Sequence, residues 1–303
     1  MTRLFAGIDG GQSSTIAAIG DDGGRVLGRG RAGPADEVGQ RGDSTRMHDA
    51  LCDALHAALH EAGLSERTEF EAIVAGISGY QGRVYGKAPA LPSQRVQLMH
   101  DAPVAHAGAL EGRAGVIVIS GTGSVVYGRN DDGSSHTLGG WGFLFGDEGS
   151  AFGLARDAMA SLMRAHDDGD ESLAPLRRRA CEFFAQRSLR DFVHAVHAGE
   201  ITRDRIAALA PAVLDTAHFR GLADRGADRL AQLAVAVIQR GVPARVGLCG
   251  GVFGDERFRQ RVTAGIRGAI PHAGVALAMH EPALGALLLA YRAAGLNVAG
   301  LHT

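Results

Sequence analysis

One strand–loop–strand pattern occurs twice in the chain, and each copy carries a glycine-rich loop between two apolar segments. The first loop is the run Ile8-Asp9-Gly10-Gly11-Gln12-Ser13-Ser14. The second is the run Ile119-Ser120-Gly121-Thr122-Gly123-Ser124. In both copies a further turn and a third short β-like segment follow, which predicts an antiparallel three-strand meander. A duplicated α/β domain is therefore the economical fold for this chain.

The segments after each meander alternate between helical and β-like patterns. Apolar residues recur every four positions over residues 45–62, which is typical of one face of an amphipathic helix. The other predicted elements are, in chain order, a strand over 72–77, a short helix, a strand over 96–99, a helix over 102–110, a largely helical stretch over 150–239, a strand over 245–249, a helix over 256–267, a strand over 275–279 and a closing helix over 282–294. The chain thus divides into an N-terminal domain, residues 1–112, and a C-terminal domain with a helical insertion, residues 113–303.

Composition excludes several classes of function. With 46% hydrophobic and 21% charged residues and a net charge of -2, the chain can bury a core and carries no field that attracts nucleic acid. Its three cysteines, Cys52, Cys181 and Cys249, are widely spaced and fit neither a disulfide framework nor a metal-ligand pair. No apolar run approaches the ~18–20 residues of a membrane span, and no export signal is visible. We therefore expect a cytoplasmic protein that binds neither membranes nor nucleic acid.

Three glycine-rich loops are candidates for holding phosphate groups, because glycine lets backbone N–H groups approach an anion closely. They are the two loops of the duplicated copies and the run Gly250-Gly251-Val252-Phe253. Each loop alone is typical of an ordinary hairpin turn. Three such loops in one chain, two of them at the start of duplicated units, favour a phosphate site instead.

The standard nucleotide-binding motifs do not fit the chain. The run Gly82-Arg83-Val84-Tyr85-Gly86-Lys87-Ala88 is one residue short of a P-loop and ends in alanine where that motif requires serine or threonine. The run Gly28-Arg29-Gly30-Arg31-Ala32-Gly33 matches the dinucleotide fingerprint in letters, but Pro34 follows it and no helix begins there. Because Lys87 is the only lysine, chemistry that needs a P-loop lysine has a single candidate.

Asp101 lies between a predicted strand and a predicted helix, with Pro103 in the first turn of that helix. One interpretation is an N-cap, whose side chain accepts hydrogen bonds from free helix N–H groups. The other is a general base at the C-terminal end of a strand, where α/β folds place their ligands. The residue alone favours the cap.

The densest group of unusual residues surrounds the only tryptophan, in the run Gly139-Gly140-Trp141-Gly142-Phe143-Leu144-Phe145-Gly146-Asp147-Glu148-Gly149-Ser150. One interpretation places Trp141 in the core and lets Asp147 and Glu148 complement a helix dipole. Packing alone does not account for so many glycines around one indole. A binding site is therefore the favoured interpretation.

Together these motifs resemble the BadF/BadG-type ATPase and N-acetylglucosamine kinase family, within the superfamily of sugar kinases, actin and heat-shock chaperones. The matching segments occur in the right order over most of the chain: Asp9-Gly10-Gly11, His100-Asp101-Ala102, the loop at 119–124, the block at 139–151 and Cys249-Gly250-Gly251. The resemblance implies two actin-like, ribonuclease H-like α/β domains with a cleft between them.

The resemblance also implies an ATP-dependent kinase that phosphorylates the 6-hydroxyl of N-acetylglucosamine or glucosamine. Asp101 would be the general base, and Asp9 would position Mg²⁺ directly or through water. The nucleotide would contact Gly10, Gly11, Gln12, Ser13, Ser14, Gly121, Thr122, Gly123, Ser124, Gly250 and Gly251. The sugar would contact Asp36, Ser78, Gly79, Asp101, Gly140, Trp141 and Asp147. Phosphoryl transfer depends on positioning and charge neutralisation, so the scarcity of lysine is no objection.

The chain departs from the sugar-kinase pattern after the third strand. Members of the family usually place an asparagine there, whereas the nearest match here is Asp36 in the run Gly33-Pro34-Ala35-Asp36. A carboxylate attracts the ammonium group of a free amino sugar more strongly than it attracts a neutral amide. We therefore hypothesise that Asp36 favours the free amino sugar over its N-acetyl form.

Two other functions remain open within the same fold. One is an ATPase that activates a protein partner and has no sugar substrate, as the acyl-CoA dehydratase activators of this family do. Those activators hold an iron–sulfur cluster through paired cysteines, which the three cysteines here do not provide. The other is a non-catalytic, actin-like scaffold, which would need neither Asp101 nor the tryptophan block. Each of the three could be a monomer or a homodimer.

Overall fold

The first copy of the repeated pattern folds into a five-stranded mixed sheet. In the computed structural model, which describes residues 2–36, 42–298 and 300–302, its strands are β1 (Leu4–Gly10), β2 (Thr15–Asp21), β3 (Val26–Ala32), β4 (Ala72–Ile77) and β5 (Val96–His100). Their order in the sheet is β3-β2-β1-β4-β5. The first three strands form the predicted antiparallel meander, whereas β4 pairs in parallel with both β1 and β5.

The second copy repeats this arrangement in a second sheet. Its strands are β6 (Gly115–Ser120), β7 (Ser124–Arg129), β8 (Ser135–Gly139), β9 (Arg245–Cys249) and β10 (Gly274–Leu277). Their order is β10-β9-β6-β7-β8, which places each strand where its counterpart lies in the first sheet. An antiparallel meander is again followed by two strands parallel to the first. The predicted duplication is therefore confirmed.

Helices cover both faces of the two sheets. The described residues form α1 (Arg46–Glu61), α2 (Asp101–Leu110), α3 (Ala151–Asp167), α4 (Ala174–Phe183), α5 (Leu189–His197), α6 (Arg203–Ala207), α7 (Ala210–Asp215), α8 (Arg220–Ile238), α9 (Glu256–Ala269) and α10 (Pro282–Ala293). The predicted helical insertion comprises α3 to α8, and it shares one large apolar core with β6, β7 and β9. None of these helices is long and apolar enough to cross a membrane.

Helix α1 packs on the first sheet because its apolar residues lie on one side. Leu51, Leu55 and Leu59 are at most 2% exposed, and burying each side chain contributes roughly 1.5–3 kcal/mol. The helix lies close to β3, since a Cβ atom at Gly30 would be 2.0 Å from the carbonyl oxygen of Ala54. Any side chain at Gly30 would therefore push α1 off the sheet.

The closing helix α10 returns to the first sheet, where Tyr291 is buried against β1 and β2. A Cβ atom at Gly7 of β1 would lie 2.0 Å from the backbone nitrogen of Leu287. The crossing with α2 is equally close, because a Cβ atom at Gly285 would lie 2.0 Å from the carbonyl oxygen of Val104. The last helix of the chain therefore completes the core of the first sheet. The domain boundary between residues 112 and 113 remains a prediction.

The short helix expected between β4 and β5 is absent. Residues 78–95, all of which the structure describes, form turns and loops. Pro89 and Pro92 explain the difference, since proline lacks an N–H donor and disfavours helical geometry at the residue before it. The other predicted elements occur within a few residues of their expected bounds.

Candidate active site

Three segments that follow parallel strands meet at one edge of the first sheet. Gly10 in β1 is opposite Ile77 in β4, and Ile77 is opposite His100 in β5. The residues that come next therefore share this edge: the loop 11–14, Ser78 with Gly79, and Asp101. The N–H group of Ser78 donates to the carbonyl of Gly10 at 2.8 Å. Ligands of α/β folds bind at the carboxyl ends of such strands.

The first glycine loop folds back on itself beside the end of β3. The N–H group of Gly11 donates to the carbonyl of Ser14 at 2.9 Å, and the N–H group of Ala35 donates to the carbonyl of Gly11 at 3.0 Å. A Cβ atom at Gly10 would lie 2.9 Å from the Cβ atom of Ala35. Ala35 therefore fixes the next residue, Asp36, beside the loop.

The second glycine loop is braced by the residues that follow the tryptophan block. The carbonyl of Gly121 accepts a hydrogen bond from the N–H group of Ala151 at 2.8 Å. The hydroxyl of Ser124 donates to the carbonyl of Glu148 at 2.9 Å. The loop and the start of α3 consequently form one hydrogen-bonded unit.

The third glycine loop lies directly against the second one. Ile119 in β6 pairs with Cys249 in β9, so the loops that follow these two strands are neighbours. Gly250 has a φ of 103°, and a Cβ atom there would lie 2.3 Å from the carbonyl oxygen of Ser120. Both its conformation and this close approach require glycine. Gly251, by contrast, faces open space.

The two phosphate-loop candidates approach each other across the gap between the sheets. The hydroxyl oxygens of Ser13 and Thr122 lie 3.5 Å apart, although 109 positions separate these residues in the chain. The duplicated loops therefore face one another, as expected for two halves that bind one ligand between them.

Asp147 organises the second loop from a strained backbone position. It is 3% exposed, and its φ of 62° lies in the left-handed region, which costs a non-glycine residue roughly 1–2 kcal/mol. Its Oδ1 atom accepts a hydrogen bond from the N–H group of Ser124 at 3.0 Å. Its Oδ2 atom accepts one from Arg203 at 2.5 Å. Asp147 therefore lies at the second loop, and its contact with a sugar remains a prediction.

Arg203, the first residue of α6, is a site residue that the sequence motifs missed. One guanidinium nitrogen donates to Asp147, and the other terminal nitrogen donates to the side-chain oxygen of Gln12 in the first loop. The guanidinium carbon also lies 5.2 Å from the ring centre of Phe143 and 5.5 Å from that of Phe152. The only hint in the sequence was the shortage of lysine, which leaves arginine to supply a cation.

Acidic side chains gather beside the first loop. Burial and the nearby carboxylates of Asp101 and Glu281 raise the pKa of Asp9 to about 7. Among the described residues, no three acidic, histidine or cysteine side chains lie close enough together to hold a metal ion by themselves. The excess negative charge at Asp9 nevertheless favours a cation at this position.

Asp101 begins α2 but does not cap it, so the N-cap interpretation is wrong. His100 is the cap, because its Nδ1 atom accepts a hydrogen bond from the N–H group of Ala102 at 3.2 Å. The same Nδ1 atom lies 2.7 Å from Oδ1 of Asp101, and this contact raises the pKa of His100. A ring nitrogen that accepts from Ala102 carries no proton to donate. The Oδ1 atom of Asp101 is buried, and because this ring nitrogen carries no proton, the atom accepts no hydrogen bond.

The tryptophan block protrudes from the second sheet. Trp141 is 76% exposed, so the interpretation that placed it in the core is wrong. Gly140 before it has a φ of 69°, and Phe143 after it packs edge-to-face on Phe152 at 5.6 Å. The loop is thereby anchored at Phe143, which lies against Arg203, while its indole faces solvent.

Asp36 is buried next to the first loop and has a cationic neighbour. Its Oδ1 atom lies 3.3 Å from a guanidinium nitrogen of Arg46 in α1 but makes no hydrogen bond. Burial raises the pKa of Asp36, and the charges of Arg46 and Arg203 oppose that rise. Part of its negative charge is therefore already balanced within the protein.

Two duplicated sheets with facing glycine loops define the actin-like fold. The chain belongs to the BadF/BadG/BcrA/BcrD ATPase family, whose model matches residues 6–290. Most of both halves and all the loops described above fall within that match.

Several similar proteins carry sugar-kinase names. An N-acetylmuramic acid/N-acetylglucosamine kinase of Clostridium acetobutylicum is 30% identical over 241 residues, which is 72% of each chain. A crystal structure from Chromobacterium violaceum, provisionally named as an N-acetylglucosamine kinase, is 29% identical with a TM-score of 0.76, covering 95% of this chain and 98% of its own. A ROK family glucokinase of Streptomyces griseus shares the fold at 19% identity and a TM-score of 0.53, covering 95% of this chain and 99% of its own.

Proposed function

We propose that this protein is an ATP-dependent kinase that phosphorylates the 6-hydroxyl of an amino sugar, with Asp101 as general base. The observation that carries the proposal is the position of the Asp101 carboxyl group, which follows β5 at the same sheet edge as the first glycine loop and lies 2.7 Å from the ring of His100. A carboxylate acceptor beside a phosphate loop is what a general base for a hydroxyl nucleophile requires. The sugar-kinase names of the relatives agree with it.

The three glycine loops would hold the nucleotide. The loops at residues 10–14 and 121–124 would surround the β- and γ-phosphates from opposite sides, because these loops face each other. Gly250 and Gly251 would lie along the adenosine. Gly251 leaves the open space that a nucleoside needs, whereas Gly250 keeps the loop against β6.

Asp9 would hold Mg²⁺, chiefly through water, since few protein ligands surround it. The mutual repulsion of Asp9, Asp101 and Glu281 fits a divalent cation at this position, because the cation would offset this repulsion. When bound, Mg²⁺ neutralises charge on the transferring phosphoryl group. The residues of the chain then orient the phosphate and the sugar and accept the proton.

The sugar would bind between the first sheet edge and the tryptophan block. Ser78 and Gly79 would line one side, next to Asp101, and Gly140, Trp141 and Asp147 would line the other. The proton of the 6-hydroxyl would move to Asp101 as the hydroxyl oxygen bonds to the γ-phosphorus. The exposed indole of Trp141 offers an apolar face of the kind that stacks on a sugar ring.

Asp36 would contribute to the choice of sugar. Its carboxylate would attract the ammonium of glucosamine, as the sequence suggests, but Arg46 at 3.3 Å already balances part of that charge. The expected preference for the free amine is consequently smaller than an isolated carboxylate would give.

The test is ADP production from Mg-ATP in the presence of glucosamine, N-acetylglucosamine, N-acetylmuramic acid, N-acetylmannosamine or glucose. We expect turnover with at least one amino sugar and its loss in Asp101→Asn, which preserves the shape of the side chain but removes its basicity. Equal, slow hydrolysis with every sugar and without sugar, unchanged in Asp101→Asn, would contradict the proposal. That result would favour the partner-activating ATPase, for which the three isolated cysteines offer no paired cluster ligands.

A further inference from the structure

The guanidinium group of Arg203 lies where the two phosphate loops meet. It donates to Gln12 of the first loop and to Asp147, whose other oxygen accepts from the N–H group of Ser124 in the second loop. A Cβ atom at Gly123 would lie only 2.9 Å from Nη2 of Arg203. The cation is therefore part of the gap between the loops, although α6 belongs to the helical insertion.

Arg203 has hydrogen-bonding capacity that the protein itself does not use. An arginine side chain carries five N–H donors, and Nε of Arg203 is buried without a partner. The rings of Phe143 and Phe152 lie within 5.5 Å of the guanidinium carbon and limit the directions from which water can reach it. A buried, unpartnered donor on a cation between the two candidate phosphate loops points to an anionic ligand.

No lysine takes this role. The only lysine, Lys87, lies in the loop between β4 and β5, where its backbone N–H group donates to Ser44 and its charge acts on Cys52 in α1. The first loop carries Gln12 instead of a cation. The charge that faces the terminal phosphate must then come from an arginine or from the metal ion.

We infer that Arg203 binds the terminal phosphate of the nucleotide and exchanges its bond to Gln12 for a bond to a phosphate oxygen. Asp147 keeps the guanidinium in place during this exchange, because a carboxylate holds it more strongly than the neutral amide does. The inference rests on the nucleotide site of the proposed function and does not depend on which sugar is used.

The role of Arg203 in phosphoryl transfer follows from the negative charge that the γ-phosphoryl group carries during the reaction. The bond between the γ-phosphorus and the β–γ bridging oxygen breaks, a bond between that phosphorus and the sugar oxygen forms, and the hydroxyl proton moves to Asp101. The electron pair leaves on ADP. Arg203 would stabilise the charge on the non-bridging γ-oxygens during this step, as cationic groups do in other phosphoryl transfers.

The test compares two nucleotides that differ at the terminal phosphate. Calorimetric affinities of a non-hydrolysable β,γ-imido ATP analogue and of ADP would be measured with Mg²⁺ for the parent, Arg203→Gln and Arg203→Lys. We expect Arg203→Gln to weaken binding of the analogue by roughly 10- to 100-fold, the usual range for losing a hydrogen bond to a charged group, and binding of ADP by less than about 3-fold. The affinity of Arg203→Lys for the analogue should lie between those of the parent and of Arg203→Gln, since lysine keeps the charge but loses the planar fork.

Arg205 provides the matched control. It lies two residues further along α6, places its guanidinium carbon 4.4 Å from the ring centre of Phe183, and donates to the carbonyl of that residue. Arg205→Gln should change thermal stability without changing the ratio of the two affinities. Equal weakening of both nucleotides in Arg203→Gln, or no weakening of either, would overturn the inference.

A measurement on the unaltered protein covers the case in which the variants do not fold. Phenylglyoxal modifies arginine, and mass spectrometry of the peptide that contains Arg203 reports the extent of its modification. Protection by the ATP analogue but not by ADP would support the inference, and equal protection by both would overturn it. If the variants discriminate as expected while no sugar stimulates ADP production, Arg203 keeps its role and the sugar-kinase proposal alone fails.

Discussion

Replacing Asp9 by asparagine should stabilise the protein at alkaline pH while it abolishes activity. The native pKa of about 7 lies well above the ordinary aspartate pKa of 3.8. The native state therefore keeps a proton that the unfolded chain releases, and its stability falls as the pH rises from about 4 through 7. The loss is on the order of 4 kcal/mol at pH 8 and less than half of that at pH 5. Asp9→Asn does not titrate and escapes this loss.

The assay is urea unfolding followed by far-ultraviolet circular dichroism at pH 5 and pH 8, with divalent cations chelated. The quantity of interest is the free energy of unfolding of Asp9→Asn minus that of the parent, because titrations of groups that do not interact with Asp9 cancel in this difference. We expect it to increase by about 3 kcal/mol between the two pH values. Asp131→Asn, on an exposed turn between β7 and β8, controls for the removal of one negative charge.

A difference that does not change with pH would refute the reasoning. It would mean that the Asp9 carboxylate is not held in a desolvated position next to Asp101 and Glu281. Adding Mg²⁺ gives a second comparison, since a cation at Asp9 should stabilise the parent at pH 8 and leave Asp9→Asn nearly unaffected. Equal effects on both proteins would place the cation elsewhere.

Three further predictions follow from single contacts. Protonated His100 donates to the Asp101 carboxylate and competes with the substrate hydroxyl, so kcat/KM should fall as the pH drops through the raised pKa of His100. His100→Asn should move this limb of the pH profile to lower pH, and an unmoved limb would exclude His100 as its source. Gly250→Ala should lower the free energy of unfolding by roughly 2 kcal/mol or more, because its Cβ atom would clash with β6, whereas Gly254→Ala, in open space, should stay within about 0.5 kcal/mol of the parent. Chemical denaturation that gives similar free energies of unfolding for the two variants would contradict the close approach at Gly250. Asp36→Asn should lower kcat/KM for glucosamine relative to N-acetylglucosamine by up to about 10-fold, and an unchanged ratio in steady-state assays would remove Asp36 from sugar selection.

The sequence predicted those parts of the fold that depend on local patterns. The duplicated meander was readable because glycine loops between short apolar strands repeat over a few residues, and α1 was readable from its leucine spacing. The glycine loops and Asp101 were recognised as candidates because they follow predicted strands, and α/β folds place ligands at the carboxyl ends of strands. The roles of Asp9 and Asp101 came from the family resemblance and remain predictions.

Long-range contacts were not readable in this way. Arg203 bonds to Gln12, which is 191 positions away in the chain, and no local motif at the start of α6 signals that contact. The position of α10 on the first sheet depends on close approach at Gly7 and Gly285, which only the folded chain reveals. His100 as the cap of α2 was missed because aspartate is the more common capping residue.

Local signals can also mislead where two of them compete. The only tryptophan suggested either a core residue or a binding site, and the surrounding glycines favoured the binding site; the indole is exposed, and its contact with a ligand remains a prediction. Between β4 and β5, by contrast, the two prolines should have excluded the short helix. Helix propensity is weak evidence over so few residues, because contacts with neighbouring parts of the fold decide the conformation of a short segment.

Transfer of phosphate to the 6-hydroxyl of an amino sugar is most directly tested on the product itself. The protein would be incubated with Mg-ATP and whichever amino sugar stimulates ADP release, and the sugar would then be examined by mass spectrometry and by phosphorus–proton correlation. We expect the mass of one added phosphate and coupling of its phosphorus to the protons on C6, with neither signal in Asp101→Asn. ADP release without phosphorylated sugar, or a phosphate on another hydroxyl, would contradict the proposed reaction.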